Sequence, residues 1–168
     1  LMPYKGFDTT LLYDVLKGVE VFYKCNAIII PVSNLPTNAF YTPRQRYKAD
    51  SLLVFQKQLA KDGIRSVIGF TAKDISTATP DWGVFGLGYC PGKACVISTY
   101  RLKKASVTTV QLKERLIKVV LHELGHNLGL PHCTFNKECL LTDAGGTIKQ
   151  VDRERKWLCS KCTQILHQ

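Results

Sequence analysis

The chain has 168 residues, a length suited to one compact domain, and its 45% hydrophobic and 21% charged content excludes an intrinsically disordered polymer. The formal charge is +10 at pH 7, yet Lys and Arg are scattered, clustering only at Arg44 to Arg46, Arg101 to Lys104 and Lys149 to Lys161, so a nucleic-acid partner is not expected. No apolar run approaches the ~20 residues that span a bilayer, so no membrane partner is expected either, and no secretory signal is read at the start of the chain.

In chain order, Leu1 to Tyr4 reads as the remainder of a strand that precedes the first helix. Asp8 is a helix N-cap, followed by Leu11, Leu12, Val15, Leu16, Val19 and Phe22 at helical spacing. Ala27 to Ile30 is a short β-branched run stopped by Pro31, the pattern of a buried strand. Residues 33–43 carry two prolines and two asparagines and read as a loop. A second helix is expected over Gln45 to Lys61, with Leu52, Leu53, Phe55, Gln56 and Leu59 on its apolar side and Asp62-Gly63 as its stop. Arg65 to Thr71 is a further strand, and strand–helix–strand order implies a parallel pair joined by a right-handed crossover.

Val84 to Tyr89 and Ala94 to Tyr100 flank Pro91-Gly92, a turn pair suited to type II geometry, and read as a hairpin. Its first strand carries Gly83, Gly86 and Gly88. Two readings stay open there. One is a weakly packed edge strand; the other is an edge on which an extended peptide pairs through Val84, Phe85, Gly86, Leu87 and Gly88. Thr108 and Gln111 then match a capping box, and a helix runs from there to about Leu128.

The chemistry is concentrated in His122 to His132. His122 and His126 are four apart on that helix, so both imidazoles project from one face and can reach a single ion at ~2.0–2.1 Å. Glu123 is rotated away from direct ligation but can reach a water at the open coordination position. Gly129 ends the helix at no steric cost, Pro131 prevents its resumption, and the returning chain presents His132. Three neutral histidines plus water make a catalytic zinc site rather than a structural one. Three of the four histidines in the chain lie in this window, which argues against coincidence.

Seven cysteines are present, and Cys133, Cys139, Cys159 and Cys162 crowd the last fifth of the chain. An odd count without a secretory signal points to reduced thiols and a cytoplasmic location. Four thiolates would make a closed, structural zinc site; two disulfides or scattered buried thiols are the alternatives. Cys25, Cys90 and Cys95 read as buried small hydrophobes, Trp157 as core and His167 as a solvated tail residue.

His122 to His132 resembles the long zinc-binding consensus of the metzincin metallopeptidases. Cys133 immediately after it, then Cys139 and the pair Cys159 and Cys162, is similar to the archaemetzincins, a metzincin group with a second, four-cysteine zinc site. The resemblance implies an α+β (α/β-like) fold with a mixed, mostly parallel twisted sheet and an antiparallel edge hairpin. It implies a single domain over 1–168, divided into 1–129 with the sheet and active-site helix and 130–168 with the cysteine site. It further implies two Zn2+ per chain, a peptide or protein substrate, and hydrolysis in which Glu123 activates the zinc-bound water, with aminopeptidase-like cleavage as an option. Two departures stand out. Five residues separate Cys133 from Cys139 where the family has four, and Leu141 occupies the place of the family's methionine beneath the metal. Leu141 keeps a second function open, a zinc-stabilised peptide-binding module with little or no turnover.

Overall fold

Two neighbouring strands, each buried on both faces, set the architecture. The computed structural model describes residues 1–61, 63–103 and 106–167, so Asp62 of the expected helix stop and Lys104 of the basic cluster lie outside the described residues. The elements in order are β1 (Met2–Pro3), α1 (Leu12–Tyr23), β2 (Phe40–Tyr41), β3 (Arg46–Lys48), α2 (Ala49–Leu59), β4 (Val67–Thr71), β5 (Ile75–Ser76), β6 (Gly86–Gly88), β7 (Ala94–Ser98), α3 (Thr109–Asn127), α4 (Ile148–Arg153) and α5 (Ser160–Leu166).

The main sheet has the order β1-β4-β7-β6, with the first three strands parallel and β6 antiparallel at the edge. Side chains on a strand alternate between faces. Ile68 and Phe70 of β4 and Cys95 and Ile97 of β7 therefore pack with Leu12, Val15 and Val19 of α1 and Leu116 and Val120 of α3. Val67, Ala94 and Val96 point the other way, onto Leu52 and Leu53 of α2. With helices on both faces, β4 and β7 are buried throughout, as central parallel strands must be. This is the mixed, mostly parallel sheet with an antiparallel edge that the resemblance implies.

Several local expectations are corrected. Ala27 to Ile30 forms no regular strand and is not buried: Ile28 and Ile29 are 60% and 47% exposed. The run lies at the outer edge of β1, where Ile30 and Ser33 donate to the carbonyls of Leu1 and Pro3. Pro31, which has no N–H, interrupts this pairing. β1 therefore stands between this segment and β4, and the expected strand–helix–strand units are not direct neighbours. The second helix starts at Ala49, not Gln45, because Gln45 adopts the left-handed conformation (φ 49°). The chain at Arg46–Lys48 then joins a small sheet of order β2-β3-β5, part of which falls in the expected loop. The hairpin turn is not type II, since Gly92 lacks the positive φ that this geometry requires. Trp157 is 45% exposed rather than core, and Cys25 and Cys90 are exposed while Cys95 is buried.

α3 carries His122, Glu123 and His126 and is fixed at both ends. Thr108 Oγ1 accepts from the Gln111 N–H at 3.2 Å and Gln111 Oε1 accepts from the Thr108 N–H at 2.9 Å, which is the expected capping box, worth about 1 kcal/mol. At the other end Leu130 N–H bonds Gly125 O and Gly129 N–H bonds His126 O, with Gly129 at φ +95°. These bonds define a Schellman motif. Asn127 ties the helix to the hairpin, its Nδ2 donating to the carbonyls of Tyr89 and Ala94 at 2.9 Å each.

Candidate metal centre

One ligand atom from each of His122, His126 and His132 lies within 4.8 Å of the others. His122 and His126 come from successive turns of α3, and the Schellman turn returns the chain so that His132 faces them, with ring centroids 4.7–5.3 Å apart. The Nδ1 of His122 lies 2.7 Å from the carbonyl of Leu140, and the Nδ1 of His126 lies 2.7 Å from that of Leu130. A carbonyl oxygen only accepts, so each Nδ1 must carry the ring proton. Burial lowers the pKa of both rings, that of His122 to about 3, so neither takes up a second proton near neutrality.

The consequence is decisive for metal chemistry. The two Nε2 atoms are bare lone pairs, yet they face one another at 3.0 Å. Two acceptors at that distance repel unless a cation stands between them. Two nitrogens on a tetrahedral ion at ~2.0–2.1 Å are about 3.3 Å apart, close to what is seen. The donor set fits zinc.

Glu123 sits beside His122 and is buried, with its carboxyl opening onto a cleft of about 400 Å³. Burial pushes its pKa up to about 8, and a divalent cation on the histidines would draw it back toward neutrality. All of Val84, Phe85, Gly86, Leu87 and Gly88 line the same cleft, although only Gly86–Gly88 is regular strand. The glycines have a physical cause. A Cβ on Gly86 would stand 2.7 Å from Glu123 Cγ and 2.8 Å from its Oε1, and one on Gly88 would stand 3.0 Å from the Glu123 carbonyl. The close approach is therefore between β6 and the glutamate of α3. Gly86→Ala is expected to displace the Glu123 carboxyl and to lower the melting temperature by a few degrees, to be read by calorimetry; an unchanged melting temperature would show that the contact is not tight.

Cys133, Cys139, Cys159 and Cys162 also converge, with their four sulfurs within 4.8 Å of one another. Cys159 caps α5 and Cys162 lies in its first turn, so the pair shares one face. The separations Cys133 to Cys159 and Cys139 to Cys162 are 3.6 and 3.8 Å. That is far longer than a disulfide at ~2.05 Å, and matches the ~3.8 Å edge of a tetrahedron of thiolates around zinc. All seven cysteines are free, so the disulfide alternative is not what forms.

The two clusters share Leu140. It follows Cys139 directly, its N–H donates to Trp157 O, and its carbonyl accepts the hydrogen bond of the His122 Nδ1–H. Leu141, fully buried, packs beneath Gly125 of α3 as an apolar floor. The carbonyls of Leu130 and Leu140 are functional groups that side-chain reasoning misses. Sequence reading also missed Asp143 and Glu154, which line the same cleft.

A profile of peptidase family M54 matches residues 9–168. An archaemetzincin from Haloquadratum walsbyi is 32% identical over 159 residues, covering 90% of this chain and 87% of that protein. One from Haloarcula marismortui is 32% identical over 169 residues, covering 96% and 95%. The crystal structure of the archaemetzincin from Methanopyrus kandleri superposes with a TM-score of 0.86 at 26% identity, covering 99% of this chain and 91% of that one. That of the Archaeoglobus fulgidus protein, complexed with malonate, gives 0.84 at 24% identity over 98% and 97%, a likeness of fold. Among the described residues no helix is long and apolar enough to cross a membrane.

Proposed function

We propose, from the premise that this chain belongs to peptidase family M54 and is a zinc metallopeptidase acting on peptides or proteins, that His122, His126 and His132 hold its catalytic zinc and Glu123 is its proton carrier. The observation that carries the assignment is the pair of unprotonated Nε2 atoms facing each other at 3.0 Å. Zinc bound there supplies a Lewis acid that polarises the scissile carbonyl and acidifies the attacking water. Glu123, poised over the cleft, accepts the proton of that water and returns it to the leaving amine. The free edge of β6 aligns the substrate backbone as an added strand, using Val84 to Gly88. Leu130 and Leu140 hold the imidazoles in the metal-binding tautomer.

In this reading Cys133, Cys139, Cys159 and Cys162 hold a second, structural zinc, two ions per chain in all. That zinc closes 130–168 as a lower part beneath 1–129. Thiols kept free for metal suit a reducing, cytoplasmic setting. Aminopeptidase-like cleavage is the finer specificity that an acidic cleft supports, since Asp143 and Glu154 would attract a free amine. Leu141 fills the floor beneath Gly125, so turnover is favoured over a binding module without activity.

The test is hydrolysis of a peptide library before and after metal removal, with zinc measured by elemental analysis. Two zinc ions per chain and chelator-sensitive cleavage restored by added zinc are expected. Zinc-loaded protein that binds peptides without cleaving any would overturn catalysis.

A further inference from the structure

We propose that Glu154, assisted by Asp143, is the acceptor for a positively charged amine of the substrate. The inference rests on the cleft being the substrate site, as read above. Glu154 follows the end of α4 and lines the cleft together with the apolar Val119, Ala144 and Val151. It is only 4% exposed. A carboxylate this deep ordinarily has a cationic partner, because desolvating an unpaired charge is costly. Here it has none: among the described residues no Lys, Arg or His nitrogen lies within 4.0 Å of it. Its single side-chain bond is a long one, 3.4 Å from Gln150 Nε2.

The neighbouring cation is otherwise engaged. Lys118 of α3 is buried and directs its Nζ to the carbonyls of Val151 and Asp152 at 3.1 and 3.2 Å. Asp152 is in turn held by Nε and Nη2 of Arg115 at 2.6 and 2.7 Å. α4 has six residues, too few to be stable alone, and these contacts clamp it to the active-site helix. Glu154 is thus set at a fixed place relative to Glu123 and the histidines, with its carboxyl left for something in the cleft. Asp143 adds a second negative charge in the same cleft, with Oδ1 accepting the Gly145 N–H.

The groups facing Glu154 are Lys118 from α3, Asp143 from the preceding loop and Gln150 from α4. Burial pushes the Glu154 carboxyl up to about 7, the burial outweighing the Gln150 bond and the Lys118 charge. Below that pH it is neutral and attracts no cation. As pH rises through it, the carboxyl ionises and an ammonium binds. The apolar walls suit an alkyl stem leading to such a group. The ammonium can come from a lysine side chain or from the substrate's own N-terminus, and the experiment separates these sources.

Zinc-loaded Glu123→Ala protein serves as a binding trap, read by calorimetry. The probes are an acetylated alanine octapeptide with lysine or norleucine scanned through each position, and the same peptides with a free N-terminus. We expect about tenfold tighter binding for lysine over norleucine at one position, or for the free over the acetylated terminus. Adding Glu154→Gln should erase that preference and leave the neutral peptide's affinity unchanged, with zinc content intact. For the lysine probe, whose ammonium stays charged throughout, the preference should also grow from pH 6 to pH 8 without any Glu154 substitution. Equal binding of charged and neutral peptides, a preference that survives Glu154→Gln, a lysine preference flat with pH, or no binding at all would overturn the assignment. Should wild type cleave nothing while the trap still prefers the amine, the catalytic reading fails and this one stands.

Discussion

Glu123→Gln is expected to keep its full zinc content and to lose peptide hydrolysis by about 100- to 10,000-fold in kcat. Glutamine occupies the same volume, so the packing against Gly86 and the edge of β6 is preserved. The histidines keep their main-chain partners, because neither bond involves residue 123. What disappears is the ability to accept a proton and hand it on. KM should change little, since Glu123 is assigned no share in holding the substrate's backbone. Kinetics with metal analysis on the same preparation decide the matter. If kcat survives, the proton must travel by another group; if zinc is lost with activity, Glu123 supports the metal rather than the reaction.

The second large effect is on stability. Cys159→Ser should remove the thiolate-bound zinc and lower the melting temperature by more than about 10 °C. The segment from Cys133 to Cys162 contains only short helices, α4 and the first turn of α5, so zinc held by the four thiolates would replace much of the core that a longer segment would build. The loss should spread to the other centre. Leu140 adjoins Cys139 and supplies the carbonyl that orients His122, so loosening the cysteine loop should weaken metal binding at the histidines about 10- to 100-fold. Cys25→Ser, at an exposed position, is the control and should change neither property. Retention of all zinc by the Cys159 variant would break the account of the second site.

Much of the centre is legible in the chain because its parts are local. Histidines four apart, a capping box at Thr108 and a helix-ending glycine at 129 all act within one or two turns, where spacing determines geometry. The central strands are equally legible, since β4 and β7 are covered on both sides and must be apolar throughout. Legibility fails where position in the sheet matters. Ala27 to Ile30 has the composition of an interior strand but lies at an edge, beyond β1, with Pro31 breaking its bonds. Arg46–Lys48 reads as the start of a helix because nothing local announces its pairing with β5, 27 or more residues away. Glu154 is hidden for the same reason. Only the fold brings it into the cleft that Gly86 also lines, and no spacing rule links the two.

One feature of the histidine centre bears on its inheritance. The acceptors that fix the two imidazoles are the carbonyls of Leu130 and Leu140, which belong to the main chain. No single side-chain substitution deletes either one. Positions 130 and 140 are held only to a volume and an apolar character, both being fully buried, and different aliphatic residues meet that requirement. Aliphatic substitutions at 130 and 140 therefore leave the protonation of His122 and His126 unaltered, and the centre is buffered against mutation by groups that the genetic code cannot change one at a time.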